Sequence, residues 1–206
     1  MTIVSLKSED SLSNGLLKAE LSDGSELSFS TYYLPEEVKP VFCKEDQELA
    51  SREEEAFRFA AACYLAEKAA LKLIARAEQN SMGLTAKLEQ RGHKTAAVKA
   101  VVLRLLDRNL LNDERYSELW LRSRLSRGKR ISPRWLLVSL GKRGIDRNSS
   151  HRALQKVLNP ETEYTLLLKY VEKTGVPGDE KEEIPRAWLK CEGFSSAVLD
   201  KYFCSC

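Results

Sequence analysis

Asn112 to Lys156 reads NDERYSELWLRSRLSRGKRISPRWLLVSLGKRGIDRNSSHRALQK, and it holds a complete helix, turn, helix, turn, helix unit. Asn112 stands where an N-cap belongs, Asp113 and Glu114 fill the first turn, and Tyr116, Leu119, Trp120 and Ser123 follow at helical spacing. This first helix is expected to run to about Ser126 and to stop near Gly128. The restart is sharper. Ser132 caps, Pro133 suits the first helical position, and Ile131 lies opposite Leu136 as a hydrophobic staple. The second helix presents Leu136, Leu137 and Leu140, carries Lys142 and Arg143 in its last turn, and ends at Gly144 in a left-handed conformation. A third helix is expected from about Asn148 to Leu158.

Charge marks this unit. From Asp113 to Lys156 there are 12 Lys and Arg against 4 Asp and Glu, so the segment carries +8 in a chain whose total is +3. Asp113, Glu114, Glu118 and Asp146 are too few to match them locally, which implies an external acidic partner. The residues expected to meet that partner are Arg122, Arg124, Arg127, Lys129, Arg130, Arg134, Lys142, Arg143 and Arg147, clustered at and around the turns. Acidic ends flank the basic middle: residues 1–60 sum to −7 and residues 157–206 to −3. Trp120, Trp135 and Trp188 each lie near an apolar stripe, so core packing is their expected role, with interface hot spots as the alternative.

Working outward, Leu88, Leu140 and Leu189 each precede a glycine by four residues, at Gly92, Gly144 and Gly193, giving periods of 52 and 49. An apolar or small pair follows nine and ten positions later: Val101-Val102, Ala153-Leu154 and Tyr202-Phe203. Such phased recurrence is the signature of a repeat protein. The expected fold is all-α, three tandem three-helix repeats forming an elongated, curved array with a small N-terminal β-hairpin appendage. The boundaries are 1–45 for the hairpin and linker, 46–111 for the first repeat with a long leading helix, 112–158 for the second, and 159–206 for the third with its tail. In the third, helices are expected over 161–174, from about Asp179 to Glu192, and over 195–203, with an insertion at Gly175-Val176-Pro177-Gly178.

The first forty residues alternate instead. Leu17, Ala19 and Leu21 precede Asp23-Gly24, and Leu27, Phe29, Thr31 and Tyr33 follow, a hairpin signal with Thr2 to Leu6 as a further short strand. A two-residue turn would put the apolar sets on opposite faces. A three- or five-residue loop, taken to pair Leu21 with Leu27 and Ala19 with Phe29, avoids this, and a bulged or longer turn is therefore expected.

Other classes find little support. No apolar run approaches the roughly 18 to 20 residues needed to cross a bilayer, and Met1 to Asp10 lacks a signal-peptide core, which points to the cytoplasm. Five cysteines, Cys43, Cys63, Cys191, Cys204 and Cys206, are an odd count without paired spacing and are expected to be reduced, with Cys204 and Cys206 in a frayed tail. His93 and His151 have no fixed nucleophile or carboxylate partner, and there is no phosphate-binding glycine loop or zinc spacing. No catalytic, cofactor or metal residue is expected. A helix-turn-helix-like DNA-binding module around Gly128 to Ser132, acting alone, is the competing class.

The run ALKLIARAEQNSMGLTAKLEQRG (70–92), the junction LLNDERY (110–116), the segment RSRLSRGKRISPRWLLVSLGKRGI (122–145) and the ending WLKCEGF (188–194) resemble the successive repeats of the bacterial regulatory protein family RecX. The resemblance covers roughly residues 60 to 204. It departs from the family pattern at Asn112-Asp113, where paired aspartates are common, at Gly128-Lys129-Arg130, where a more glycine-rich turn is usual, and at Cys191, often basic. The resemblance implies tandem three-helix repeats and a non-enzymatic modulator of the RecA recombinase. Such a protein lies in the groove of the RecA-DNA filament and restrains its growth, ATPase activity and strand exchange. The basic residues would meet RecA or, alternatively or additionally, DNA phosphates, and the chain is expected to act as a monomer.

Overall fold

The computed structural model describes residues 2–8, 15–39, 47–127, 131–174 and 185–204. The chain divides into two compact units, one of residues 1–78 with 83–111 and one of residues 79–82 with 112–206.

In the first unit, strands β1 (Thr2–Ser8), β2 (Leu16–Leu21), β3 (Glu26–Ser30) and the two-residue β4 (Gln47–Glu48) form an antiparallel sheet in the order β3-β2-β1-β4. The N-terminal element is therefore larger than a hairpin, since β1 adds a central strand and β4 an edge. The β2–β3 turn is longer than two residues, as the apolar pattern requires. Its register sits two residues from the expected one: Ala19 faces Leu27 and Leu17 faces Phe29. The reason is the turn itself. The Leu21 N–H donates to the Ser25 carbonyl at 2.8 Å and Gly24 takes φ 79, closing the three-residue loop, the shorter of the two expected lengths, which pairs Ala19 rather than Leu21 with Leu27. A bulge between Ile3 and Ser5 leaves Val4 exposed on β1.

Helix α1 (Ser51–Ile74) covers this sheet. Glu53 reaches back to accept the Ala50 N–H at 2.8 Å, which fixes the helix start. Its buried face carries Phe57, Ala60, Ala61, Cys63, Ala66, Ala70 and Leu73, and the small alanines let a neighbouring helix approach closely. Phe57 meets Phe29 edge-on at 4.8 Å, joining sheet and helix in one core with Ile3, Ala19, Leu84, Leu88, Val98, Val101 and Leu105. Truncating either ring to alanine removes about 3–5 kcal/mol. The sheet is thus no appendage to the helices; it completes their core. Helices α2 (Ser81–Gln90) and α3 (Thr95–Asp107) close the region. A buried ion pair stitches it: the Glu67 carboxylate accepts the Tyr33 hydroxyl at 3.0 Å and lies 3.2 Å from Arg104 Nε, while the Arg104 guanidinium covers the Tyr32 ring at 3.7 Å.

The second unit contains α4 (Asp113–Ser126), α5 (Pro133–Gly141), α6 (Arg147–Val157), α7 (Pro160–Thr174), α8 (Arg186–Cys191) and α9 (Ser196–Cys204). Its core gathers Leu121, Leu136, Leu140, Ala153, Leu167, Leu189, Phe194 and Leu199. The capping chemistry follows the sequence. Asn112 Oδ1 accepts the Arg115 N–H at 2.9 Å, Ser132 Oγ the Trp135 N–H at 3.2 Å, and Asp146 Oδ1 the Ser149 N–H at 2.9 Å. Helix α8 begins at Arg186, after Pro185 in an extended conformation (φ −60, ψ 130), so no single helix runs from about Asp179 to Glu192; the insertion at 175–178 and the expected start at Asp179 lie outside the described residues, as do Gly128, Lys129 and Arg130.

The three phased glycines share one geometry. Gly92, Gly144 and Gly193 have φ of 85, 77 and 90, and the next residue's N–H returns to the carbonyl of Leu88, Leu140 or Leu189 at 3.2, 3.3 and 3.3 Å. Each is a Schellman ending, and each leucine is fully buried. Helix α3 ends the same way with Asn109 at φ 54 in place of glycine. Two of the turns also rest against the start of an earlier helix. Asn80 Nδ2 donates to the Arg143 carbonyl, and the Arg134 N–H donates to the Glu192 carbonyl at 2.9 Å.

Candidate partner-binding surface

Helices α4 to α6 place the basic residues on a surface of defined texture. Arg122 on α4, Arg127 just after it, Arg134 at the start of α5, Lys142 just past its end and Arg147 at the start of α6 are exposed and form no ion pair among the described residues. Lys129 and Arg130 lie outside the described residues.

Arg124 and Arg143 are half-buried and hold a specific position. The Arg143 guanidinium sits 4.5 Å from the centre of the Trp120 ring and that of Arg124 lies at 5.2 Å, while Arg143 Nη1 donates to the Ser139 carbonyl at 2.6 Å. Trp120 in turn stacks on Trp135, with ring centres 6.3 Å apart and planes inclined by 21°. Cation–π contacts of this kind contribute ~0.5–1 kcal/mol each at exposed sites. Arg143 is thus oriented by an indole and a carbonyl rather than by an acid, and keeps its positive charge uncompensated.

Core packing, expected for the tryptophans, holds for Trp120, which packs against the core of the second unit, but not for the other two. Trp135 remains 43% exposed and Trp188 36%, the latter stacked on Tyr170 at 5.6 Å. Trp120 is half-buried. An indole at the margin of an apolar stripe has the same helical spacing as one inside it, so periodicity cannot separate the two.

Part of the positive charge is neutralised within the unit. Arg152 Nε lies 2.8 Å from Glu114, and Lys156 Nζ lies 2.5 Å from Glu114 and 3.1 Å from Glu118. Hydrogen bonds from Lys156 and then Arg152 hold the Glu114 carboxyl below the usual carboxylate range, and Glu114 and Glu118 raise Lys156. These contacts span about 40 residues of chain, so nothing in local spacing announced them. Asp113 is spent elsewhere: its two oxygens accept the Ser81 N–H at 2.7 Å and the Ser81 hydroxyl at 2.6 Å. What faces outward is therefore cationic and aromatic.

No group of His, Cys, Asp or Glu able to hold a metal occurs among the described residues, and no described helix is long and apolar enough to cross a membrane. Cys63 is buried, and Cys191 and Cys204 are exposed, all three as free thiols.

No protein-family model matches the chain. Individual proteins do. It is 33% identical over 141 residues to regulatory protein RecX of Treponema pallidum (strain Nichols), covering 68% of this chain and 85% of that protein. It is 31% identical over 133 residues to regulatory protein RecX of Halorhodospira halophila, covering 62% and 80%. A crystal structure of regulatory protein RecX superposes with a TM-score of 0.64 at 20% identity, covering 97% of this chain and 98% of that one. RecX from Lactobacillus salivarius gives 0.52 at 20% identity over 70% of this chain and 96% of the other. Fold and relatives together define a mostly helical regulatory protein with a small antiparallel sheet at its N-terminus. The chain belongs to the RecX family.

Proposed function

We propose that this chain is a non-enzymatic modulator of the RecA recombinase, acting in the cytoplasm as a monomer. It lies in the groove of the RecA-DNA filament, bridges neighbouring protomers, and restrains filament extension, ATP hydrolysis and strand exchange. The observation that carries this reading is the set of exposed cations on and beside α4 to α6, Arg122, Arg127, Arg134, Lys142 and Arg147, which form no ion pair among the described residues, in a chain of the RecX family. RecA contacts and DNA phosphates would share them, and the phosphate share weakens steeply with salt.

The same proposal divides the helices into three modules of three, α1–α3, α4–α6 and α7–α9. Support comes from the identical glycine endings of α2, α5 and α8 and from the two contacts in which such an ending meets the start of an earlier helix. Modules repeated at a fixed interval suit a filament whose protomers also repeat, because weak contacts made in register add up to avidity.

The test is a titration of the purified chain into preassembled RecA-DNA filaments with ATP hydrolysis as the readout. Suppression at substoichiometric amounts is expected. Hydrolysis unchanged across the titration would overturn the proposal, and sequence-selective duplex binding by the chain alone would replace it with a helix-turn-helix reading.

A further inference from the structure

Helix α5 has two unlike faces. Leu136, Ser139 and Leu140 are buried, whereas Arg134, Trp135, Val138 and Lys142 form an exposed stripe at spacings of three and four. A surface helix ordinarily keeps such a stripe polar. Here it holds an indole that is 43% exposed and an isopropyl group that is 51% exposed.

The indole is not loose. Trp135 lies on Trp120, and Trp120 is backed by Arg143, itself tied to the Ser139 carbonyl. A side chain braced from behind loses little freedom when a partner covers it, which is what makes a tryptophan an effective anchor. The charge around it has one sign. Arg134 and Lys142 bracket the apolar pair, α5 contains no acidic residue, and the carboxylate near its N-terminal end, Glu192, is engaged by the Ser132 hydroxyl at 2.6 Å.

We propose that the outer stripe of α5 is a docking surface for an acidic protein segment carrying one large apolar side chain. The apolar group packs on Trp135 and Val138, and carboxylates on either side pair with Arg134 and Lys142. Eight helical residues separate the two cations along the axis, about 12 Å. An extended chain covers that distance in about four residues. The segment therefore places its acidic residues about four apart with the apolar residue between them. A nucleic-acid strand fits the stripe less well, because Val138 offers only aliphatic surface to a sugar-phosphate backbone. The inference rests on the reading of the basic module as a partner surface and specifies the chemistry of the partner.

Fluorescence anisotropy tests it with three labelled probes: a peptide with two glutamates four apart and a phenylalanine between them, the same peptide with glycine for phenylalanine, and a 15-nucleotide oligothymidylate. The phenylalanine peptide is expected to bind at least tenfold tighter than the glycine peptide. Trp135→Ala and, independently, Val138→Glu should erase that advantage, and the pair Arg134→Glu, Lys142→Glu should remove binding of both peptides with the circular dichroism unchanged. Equal binding of the two peptides overturns the proposal. So does a Trp135→Ala variant that weakens the oligonucleotide while leaving the phenylalanine peptide unaffected. Because no probe contains RecA, the outcome is separable from the ATPase titration. Trp135-dependent peptide binding without ATPase suppression keeps this surface and discards RecA as the partner; suppression without it keeps RecA and discards the surface.

Discussion

Glu163, in the first turn of α7, accepts both the backbone N–H of Ser195 at 2.6 Å and its hydroxyl at 2.9 Å, 32 residues further along. The carboxylate thereby caps the start of α9 from outside that helix, while Ser195 Oγ accepts the Val198 N–H at 3.4 Å. Glu163 is itself buried, so its removal strands two donors. Glu163→Ala is expected to cost about 1–3 kcal/mol in urea unfolding, and Glu163→Gln less, because an acceptor survives. Amide exchange should speed first along α9. An unchanged denaturation midpoint for the alanine variant would count against this role.

Glu67 and Arg104 make a second prediction. Both side chains are nearly buried, at 11% and 12% exposure, so deleting one partner leaves an uncompensated charge. Glu67→Ala should cost about 3–5 kcal/mol, whereas the double change Glu67→Leu, Arg104→Met should cost clearly less. The comparison is made by a double-mutant cycle on urea unfolding.

Alkaline pH should loosen the same region. Burial, then the charge of Glu67, pushes the Cys63 thiol up to about 12 from 9.0 and raises the Tyr33 phenol above its ordinary 10.0. Both groups hold their protons more tightly in the folded chain. Their contribution is complete below about pH 9 and is lost as pH rises towards the folded values. Stability should therefore fall between pH 9 and 12, and Cys63→Ala combined with Tyr33→Phe should flatten the decline. Alkylation at pH 8 should modify the exposed Cys191 and Cys204 and spare Cys63.

The three glycine endings should respond unequally to alanine. All three have positive φ, which costs about 1–2 kcal/mol in any residue with a Cβ. At Gly92 an added Cβ meets open space, but at Gly144 it comes within 2.7 Å of Met82, and at Gly193 within 3.1 Å of the Arg134 backbone nitrogen. Gly92→Ala should be the mildest of the three in thermal unfolding. Equal losses would show that the contacts of Gly144 and Gly193 contribute nothing beyond backbone strain.

Salt should distinguish the Glu114 cluster from these buried features. Glu114→Gln is expected to lower the urea midpoint at low ionic strength and to have no effect in about 1 M NaCl, since the cluster is exposed. The sign with pH follows from the shifts. The Glu114 part is present above its ordinary 4.5 and lost as pH falls through the lowered value; the Lys156 part is present below 10.5 and lost as pH climbs past the raised value.

Local features were legible in the sequence because their causes are local. Asn112, Ser132 and the Leu-to-Gly spacing act through neighbours three to five residues away, and they fall where expected. Partnerships across the fold were not. Ser81 with Asp113, Ser132 with Glu192, Ser195 with Glu163 and Glu67 with Arg104 join residues 32 to 60 apart, and a serine or a carboxylate has too many admissible partners for composition to choose one. The central strand β1 was visible as alternation, but its place in the sheet depends on pairing with both β2 and β4. For the candidate surface, sequence supplied the cations; only the fold separates Arg152 and Lys156, held by acids, from Arg134 and Lys142, which face outward.

The acceptors at Arg143 and Glu192 in the contacts with Asn80 and Arg134 are main-chain carbonyls, and every amino acid supplies one. Substitution at 143 or 192 leaves that oxygen in place as long as the following glycine keeps its backbone turned. The main-chain link at these two joints is therefore separate from the side-chain contacts there: Arg143 backs Trp120 and Glu192 accepts the Ser132 hydroxyl, while the carbonyls of the same two residues hold the neighbouring helix starts.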